Sequence, residues 1–315
     1  MTLARIGTRG SQLALAQSGQ VAEALAGVLG TPVPLVPLRS EGDDLRGPLT
    51  GLGTTGVFAT RLREALLDGA CELLVHSFKD LPVAEYPGLR VVAVPERADA
   101  RDALCTRDGR TLAELPPNAR IGTGSPRRAA ALLRLRPDLR IEPIRGNVDT
   151  RLGTLDGGLD AVVLAAAGLA RLGRQDAVAE FFDLDAVMPA PAQGALALEV
   201  REDAPAELLA ALDALNDPET HAAAIAERAV LAELEAGCSA PISAWAEVAN
   251  DRLRLRARVI SPDGAALADA SGEVAWVSAA GDEQRSASLA LGHRAGAELR
   301  ERMRADAALD GLVTS

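Results

Sequence analysis

The run Arg120-Ile121-Gly122-Thr123-Gly124-Ser125-Pro126-Arg127-Arg128 reads as the end of an apolar strand, a glycine turn and the mouth of a helix. Ser125 is placed to cap that helix, since its hydroxyl accepts from a free N–H of the first turn, and Pro126 fits there because it has no N–H to lose. Arg127 and Arg128 then stand beside unpaired backbone N–H groups, a combination suited to carboxylate or phosphate oxygens. One helix and one strand later comes Arg145-Gly146-Asn147-Val148-Asp149-Thr150-Arg151. From Arg120 to Arg151 there are 8 arginines against 3 acidic residues, in a chain whose formal net charge is -11. That concentration predicts a crevice for a small molecule with several negative charges. Arg134, Arg136 and Arg140 read as solvated flanks. Arg127, Arg128, Arg145 and Arg151 differ, because each lies at a glycine-marked junction.

The same tetrapeptide opens the chain. Arg5-Ile6-Gly7-Thr8 repeats Arg120-Ile121-Gly122-Thr123, and each copy is followed by a serine, Ser11 or Ser125, that can cap a helix. The repeat predicts two α/β lobes built alike, each offering a strand-to-helix mouth to a ligand cleft. In the first lobe, residues 3–6 read as a strand, a helix carries Leu13, Gln17, Val21 and Leu25, and residues 33–38 form a proline-broken edge strand. Gly51 to Gly56 reads as a mobile or tightly turned loop without P-loop spacing, and Phe58, Leu62, Ala65 and Leu66 mark a helix ending by Gly69. The strand at 72–76 ends on Ser77-Phe78-Lys79-Asp80-Leu81-Pro82, a polar cluster where open α/β sheets place their chemistry. Asp80 suits steadying a cation or shuttling a proton; as a structural residue it would cap a helix or pair with Lys79. After a strand at 89–94, residues 95–102 read as a crossing to the second lobe, which holds the arginine stretch, a buried strand at 160–165 and a helix to about Leu172. Pro189-Ala190-Pro191-Ala192-Gln193-Gly194 then returns the chain to a strand at 195–200, making the first lobe discontinuous.

From Pro218 the pattern changes. A long alanine-rich helix at 219–236 stops at Gly237-Cys238-Ser239-Ala240-Pro241, and Leu253, Leu255, Ala257 and Val259 alternate with Arg252, Arg254, Arg256 and Arg258 in a strand with one wet face. A turn at Pro262-Asp263-Gly264, a strand at 273–277 and a helix at 283–304 complete a small antiparallel sheet covered by helices. Cys238 reads either as an inert buried thiol or as a loop nucleophile or attachment point. No Cys-His-Asn set can be assembled around it, so a covalent cofactor fits better than a protease.

Composition bounds the function. At 315 residues with 48% hydrophobic and 24% charged, the chain is an ordinary globular protein with room for two or three domains. Aromatic residues at 2% leave few stacking platforms, and the acidic balance argues further against a phosphate backbone, so nucleic acid is excluded as a partner. No apolar span suits a bilayer, the first residues lack the apolar core of a signal peptide, and Cys71, Cys105 and Cys238 show no CxxC spacing. The expectation is a cytoplasmic protein with reduced thiols. His76, His221 and His293 are equally scattered, and no metal site is expected.

Six motifs in order carry a resemblance over nearly the whole length: Ile6-Gly7-Thr8-Arg9-Gly10-Ser11-Gln12-Leu13-Ala14, His76-Ser77-Phe78-Lys79-Asp80-Leu81-Pro82, Ile121-Gly122-Thr123-Gly124-Ser125-Pro126-Arg127-Arg128, Arg145-Gly146-Asn147-Val148-Asp149-Thr150-Arg151-Leu152, Pro191-Ala192-Gln193-Gly194 and Gly237-Cys238-Ser239-Ala240-Pro241-Ile242. With them the chain resembles the porphobilinogen deaminase, or hydroxymethylbilane synthase, family. The resemblance implies an α/β monomer in which two periplasmic-binding-protein-like lobes, 1–97 with 195–217 and 98–194, enclose the active site. A small α+β domain with an antiparallel sheet, 218–315, then carries the cofactor. It also implies a dipyrromethane cofactor held through a thioether on Cys238. Four porphobilinogen molecules are added to it in turn, each losing ammonia, and hydroxymethylbilane is released for tetrapyrrole (haem-type) biosynthesis, with uroporphyrinogen-III synthase as the next enzyme. By the same match Asp80 is the catalytic carboxylate that stabilises positive charge on pyrrole nitrogen. Arg9, Ser11, Lys79, Ser125, Arg127, Arg128, Arg145 and Arg151 bind cofactor and substrate carboxylates, and Thr55, Gln193 and Arg201 are possible cleft residues.

The sequence departs from the family pattern in places. Thr55 and Thr60 stand where many relatives have loop lysines, which shifts the expected cationic role toward Arg61 or Arg63. Phe78 replaces a usual methionine, and Ser243 a usual glycine. Two other classes fit parts of the pattern: a non-catalytic binding protein for organic anions and, more weakly, a metal hydrolase.

Overall fold

The computed structural model describes residues 4–38, 54–236, 241–277 and 281–312, with side chains from residue 59 onward in the second of these stretches. Two compact units divide the chain. The first comprises Met1–Arg97 and Ala195–His221. Its strands are β1 (Ile6–Thr8), β2 (Leu35–Pro37), β3 (Leu73–Ser77), β4 (Leu89–Ala93) and, returning late, β10 (Leu196–Arg201), in the order β2-β1-β3-β10-β4. β1 pairs in parallel with β2 and β3, while β10 runs antiparallel between β3 and β4. Parallel neighbours need crossovers, which α1 (Gln12–Leu29) and α2 (Thr54–Leu67) help supply. Val21 and Leu25 of α1 pack with Ile6, Leu73 and Leu198 and with Leu208 and Leu212 of α6 (Ala206–Asp213). Leu62 and Leu66 of α2 pack with Leu74, Leu89 and Cys71. Each fully buried leucine contributes about 1.5–3 kcal/mol from burial.

Two expectations shift here. The first strand starts at Ile6 instead of residue 3, and Gly7 lies inside it: a Cβ there would fall 2.6 Å from Cys71 Sγ and 2.8 Å from Leu74 Cδ2. Thr54 to Gly56, read as loop, already belong to α2, while residues 51–53 lie outside the described residues. A single glycine costs a helix only about 1 kcal/mol, which the apolar face further along outweighs.

The second unit comprises Ala98–Gly194 and Ala222–Ser315. Its first sheet contains β5 (Asp102–Cys105), β6 (Arg120–Gly122), β7 (Arg140–Glu142), β8 (Ala161–Ala165) and β9 (Val178–Phe181) in the order β7-β6-β8-β5-β9. The pairing repeats that of the first unit: β6 is parallel to β7 and β8, and β5 is antiparallel to β8 and β9. The repeated tetrapeptide therefore marks equivalent strands, β1 and β6. Gly122 is as tightly enclosed as Gly7, since a Cβ would lie 2.6 Å from Leu159 Cδ1. Helices α3 (Pro126–Leu135), α4 (Val148–Gly153) and α5 (Ala166–Arg171) follow β6, β7 and β8. The sequence reads residues 95–102 as a crossing, and β5 begins at its last residue, Asp102; four residues, Asp-Ala-Leu-Cys, are too few to show a periodicity.

The second unit also holds the small antiparallel sheet β11 (Ile242–Ala249), β12 (Arg252–Ile260) and β13 (Leu267–Ala275), with helix α8 (Gly281–Arg304) and, from Ala222 onward, helix α7 (Pro218–Glu233). Along β12, Leu253, Leu255, Ala257 and Val259 are buried, as their alternation predicts. The last strand lies earlier than the expected 273–277, because the turn at Gly264 (φ 78°) sends the chain straight back and Leu267 pairs with Ile260. α8 lies close on α7: a Cβ on Gly292 would fall 2.2 Å from the carbonyl oxygen of Ala226. The architecture is the expected α/β one, two sheet-containing lobes plus a small C-terminal antiparallel sheet. Among the described residues no helix is long and apolar enough to cross a membrane.

Candidate active site

In the first unit, the chain leaving β1 and β3 meets the start of α1 at a cavity of about 150 Å³. Its polar lining is Arg9, Ser11, Gln17, His76, Ser77 and Asp80, and Leu13, Leu62, Val75 and Leu81 supply apolar wall. Ser11 caps α1, its Oγ accepting from Ala14 N at 3.3 Å, as the sequence predicts. Gln17, one and a half turns into α1, donates Nε2 to Ser77 Oγ at 2.7 Å and ties the helix to the end of β3. Asp80 lies one residue beyond Lys79 in a single 3₁₀ turn, Phe78–Asp80, anchored where Phe78 N donates to Ala195 O at 3.1 Å. Asp80 is exposed and Lys79 half-buried, so the carboxylate faces the cavity and solvent together. Behind the cavity, His76 Nε2 lies 2.9 Å from Glu199 Oε2, and Glu199 also accepts from Arg63 Nη2 at 2.7 Å. Arg63 is buried on that partner and stacks over Tyr86, so it is not the replacement for a loop lysine that the sequence suggested.

In the second unit Ser125 caps α3, accepting from Arg128 N at 3.4 Å. The two arginines that follow turn inward. Arg127 and Arg128 are 4% and 5% exposed, and both donate to Asp102, which is 0% exposed. Arg127 Nη2 reaches Asp102 Oδ2 at 2.7 Å; Arg128 Nη2 and Nε reach Oδ1 at 2.7 and 3.0 Å. Gln193 Nε2 joins the same Oδ1 at 2.8 Å. Burial alone would raise the Asp102 carboxyl, but the two guanidinium groups and the Gln193 amide outweigh it and hold the carboxyl far below the usual range. Arg145 is exposed beside Gly146 (φ 103°), and Arg151, on α4, donates Nε to Gly146 O at 2.8 Å, so this second pair shares one junction.

Other expected site residues fall elsewhere. Arg201 is at the far end of β10: Leu196 pairs with Ser77, and the antiparallel run carries Arg201 to the other end of the strands, where it donates to Asp203 Oδ1 at 2.9 Å. The direction of that strand was not legible in the sequence. The side chain of Thr55 and the whole of Cys238 lie outside the described residues. The remaining thiols are suppressed by burial, which raises Cys71 and pushes Cys105 up to about 12. Sequence reasoning missed Asp102, Gln17, Glu199 and Arg171. Arg171 ends α5, donates Nη2 to Gly194 O at 2.9 Å, and is held down to about 10 by burial. Asp102 was hidden among the alternating charges of Arg97-Ala98-Asp99-Ala100-Arg101-Asp102. Among the described residues no group of three or more His, Cys, Asp or Glu side chains suits a metal ion.

Residues 4–208 match the family described as "Porphobilinogen deaminase, dipyromethane cofactor binding domain", and residues 221–301 match "Porphobilinogen deaminase, C-terminal domain". A porphobilinogen deaminase of Thermobifida fusca is 58% identical over 268 residues, covering 84% of this chain and 83% of its own length. Porphobilinogen deaminase 1 of Streptomyces coelicolor is 50% identical over 307 residues, covering 94% of both chains. Among solved structures, the methionine binding protein MetQ covers 66% of this chain and 87% of its own, at 14% identity and a TM-score of 0.42. With both family domains matched in order and half or more of the residues shared with these relatives, the chain belongs to the porphobilinogen deaminase family.

Proposed function

We propose that the chain joins four porphobilinogen molecules in turn on a dipyrromethane held by Cys238, with Asp80 as the catalytic group, and then releases hydroxymethylbilane by hydrolysis, water supplying the hydroxyl of the product and the hydrogen returned to the dipyrromethane. The observation that carries this reading is the cavity of the first unit, which gathers Asp80, Arg9 and Ser11 against an apolar wall. A cavity near 150 Å³ holds one small ring. Each porphobilinogen is a pyrrole with an acetate and a propionate, so it asks for that combination of apolar wall, planar cation and hydroxyl. When bound, the dipyrromethane supplies the electron-rich pyrrole carbon to which the substrate is joined.

The residues then divide the work. Arg9 and Ser11 hold a substrate carboxylate at the mouth of α1, with Lys79 adding positive charge. Asp80 accepts the pyrrole N–H and supplies the countercharge as the aminomethyl nitrogen leaves as ammonia and positive charge spreads into the ring. One C–N bond breaks, one C–C bond forms, and the proton of the attacked ring carbon is lost. Ser125, Arg127, Arg128, Arg145 and Arg151 serve the accumulating carboxylates. In support, the hydrogen-bond partners given above set one carboxylate against the two guanidinium groups of Arg127 and Arg128. Residues 218–315 form the cofactor-carrying domain, a division supported by the C-terminal family match at 221–301. The enzyme works as a cytoplasmic monomer, and its product goes to uroporphyrinogen-III synthase. The test is stoichiometric: purified chain incubated with porphobilinogen releases one ammonia per substrate consumed and yields a linear tetrapyrrole. Binding of porphobilinogen without ammonia release would leave a carrier of organic anions instead.

A further inference from the structure

Asp102 is the shared acceptor of two adjacent arginines, and its own position is fixed from several sides. It opens β5 and pairs in register with Ala165, at the end where β8 finishes and where α3 begins from the neighbouring β6. Gln193 locks the carboxylate: its Nε2 donates to both Asp102 Oδ1 and Ala100 O, the latter at 2.7 Å. Gln193 is held in turn. Ala192 before it has a left-handed backbone (φ 60°) and gives its N–H at 2.6 Å to the buried carboxylate of Glu227. One further donor of each guanidinium is held, Arg127 Nη1 by Met188 O at 2.6 Å and Arg128 Nη1 by Val163 O at 3.1 Å. A purely structural ion pair needs one arginine. Here two face a single carboxylate, which leaves a formal excess of one positive charge among buried groups, a costly state unless an anion completes it.

We infer that Asp102 is the positioning residue for Arg127 and Arg128, fixing both guanidinium planes and cancelling one of their charges so that the pair presents a single pre-set cation to a ligand carboxylate. The inference rests on the reading of these arginines as carboxylate contacts. Long side chains lose rotamer freedom when they bind a ligand; Asp102 takes that loss at folding instead. Contacts of this kind act on the bound ground state and the transition state alike, so disturbing them raises KM more than it lowers kcat.

Three variants, Asp102→Asn, Asp102→Glu and Arg127→Leu, are compared with the unchanged chain as purified. The readouts are intact mass for the fraction carrying a two-pyrrole adduct, KM and kcat for porphobilinogen, and the thermal midpoint. Asp102→Asn is expected to lower the loaded fraction by about threefold or more and to raise KM about tenfold, with kcat per loaded molecule changed less than about threefold. Asp102→Glu keeps the charge but advances the carboxylate by one methylene, and raises KM by about threefold or more. A lower thermal midpoint with unchanged loading and KM would make Asp102 structural glue and overturn the inference. Wild-type KM in Asp102→Glu overturns it too, because charge without position would then suffice. If Asp102→Asn yields no folded protein, the Glu variant decides alone. Impaired Arg127→Leu beside normal Asp102 variants sinks only the inference, whereas normal loading and turnover in Arg127→Leu sinks the carboxylate-contact reading and the inference with it.

Discussion

Arg63 grips Glu199 with a forked pair of hydrogen bonds, Nε at 3.0 Å and Nη2 at 2.7 Å to the same oxygen, Oε1, across α2 and β10. Both side chains are buried, and the other oxygen of Glu199 meets His76 in the cavity lining. Removing one partner of such a pair leaves a buried charge without its counterpart. Glu199→Gln should therefore destabilise the protein by about 3–5 kcal/mol in urea unfolding followed by circular dichroism. A change below about 1 kcal/mol would show the pair to be well solvated.

The same group sets an acid limit. Burial alone pushes the Glu199 carboxyl up, but the hydrogen bonds from His76 and Arg63 outweigh it and hold the folded-state value below the ordinary 4.5. A depressed folded pKa means stability that is fully present above the unfolded value and lost as pH falls through the folded one. Unfolding free energy should stay level from neutral pH down to about the ordinary carboxylate value and then drop. The drop should be shallower in Glu199→Gln, and parallel curves for the two proteins would contradict this assignment.

Gly124 stands in the turn before α3, and a Cβ there would fall 2.6 Å from the backbone carbonyl oxygen of Ile144. Backbone cannot swing aside as a side-chain end can. Gly124→Ala should cost about 1–3 kcal/mol of stability through this overlap. The loss is read from the thermal or urea midpoint, and an unchanged midpoint would mean that the turn relaxes freely.

Asp80→Asn keeps the shape of the side chain and removes its countercharge. In loaded enzyme at saturating porphobilinogen, single-turnover elongation should fall by roughly 10²–10³, the scale of one such electrostatic contact. Separation of enzyme-bound intermediates by charge checks it, with loading verified first by mass. Elongation at the unchanged rate would make the carboxylate structural.

Local chemistry was the most legible part of the sequence. Ser11 and Ser125 announced two helix caps, the repeated tetrapeptide announced two equivalent strands, and the alternation from Arg252 to Val259 announced a one-sided strand. Pairings between distant segments were not legible. Nothing near Arg127 in sequence points to Asp102, 25 positions away, and the destination of Arg201 depended on a strand direction that only the sheet defines. Short strands such as β5 and β9 offered too few residues for a period to show. The cavity itself was half-read: Arg9, Ser11 and Asp80 were named, while Gln17 looked like one more residue on an amphipathic helix until its bond to Ser77 placed it.

Intact mass of the purified chain, alongside Cys238→Ser, tests the attachment of the dipyrromethane most directly. The unchanged chain should carry an added mass equal to two porphobilinogens less two ammonias, should colour with an acidic aldehyde reagent for pyrroles, and should yield the adduct on the peptide containing Cys238. The variant should fold and carry no stable adduct, since burial keeps the thiols of Cys71 and Cys105 protonated and unreactive. An unmodified chain that stays unmodified and inert with porphobilinogen, or the same adduct on another cysteine in Cys238→Ser, would contradict it.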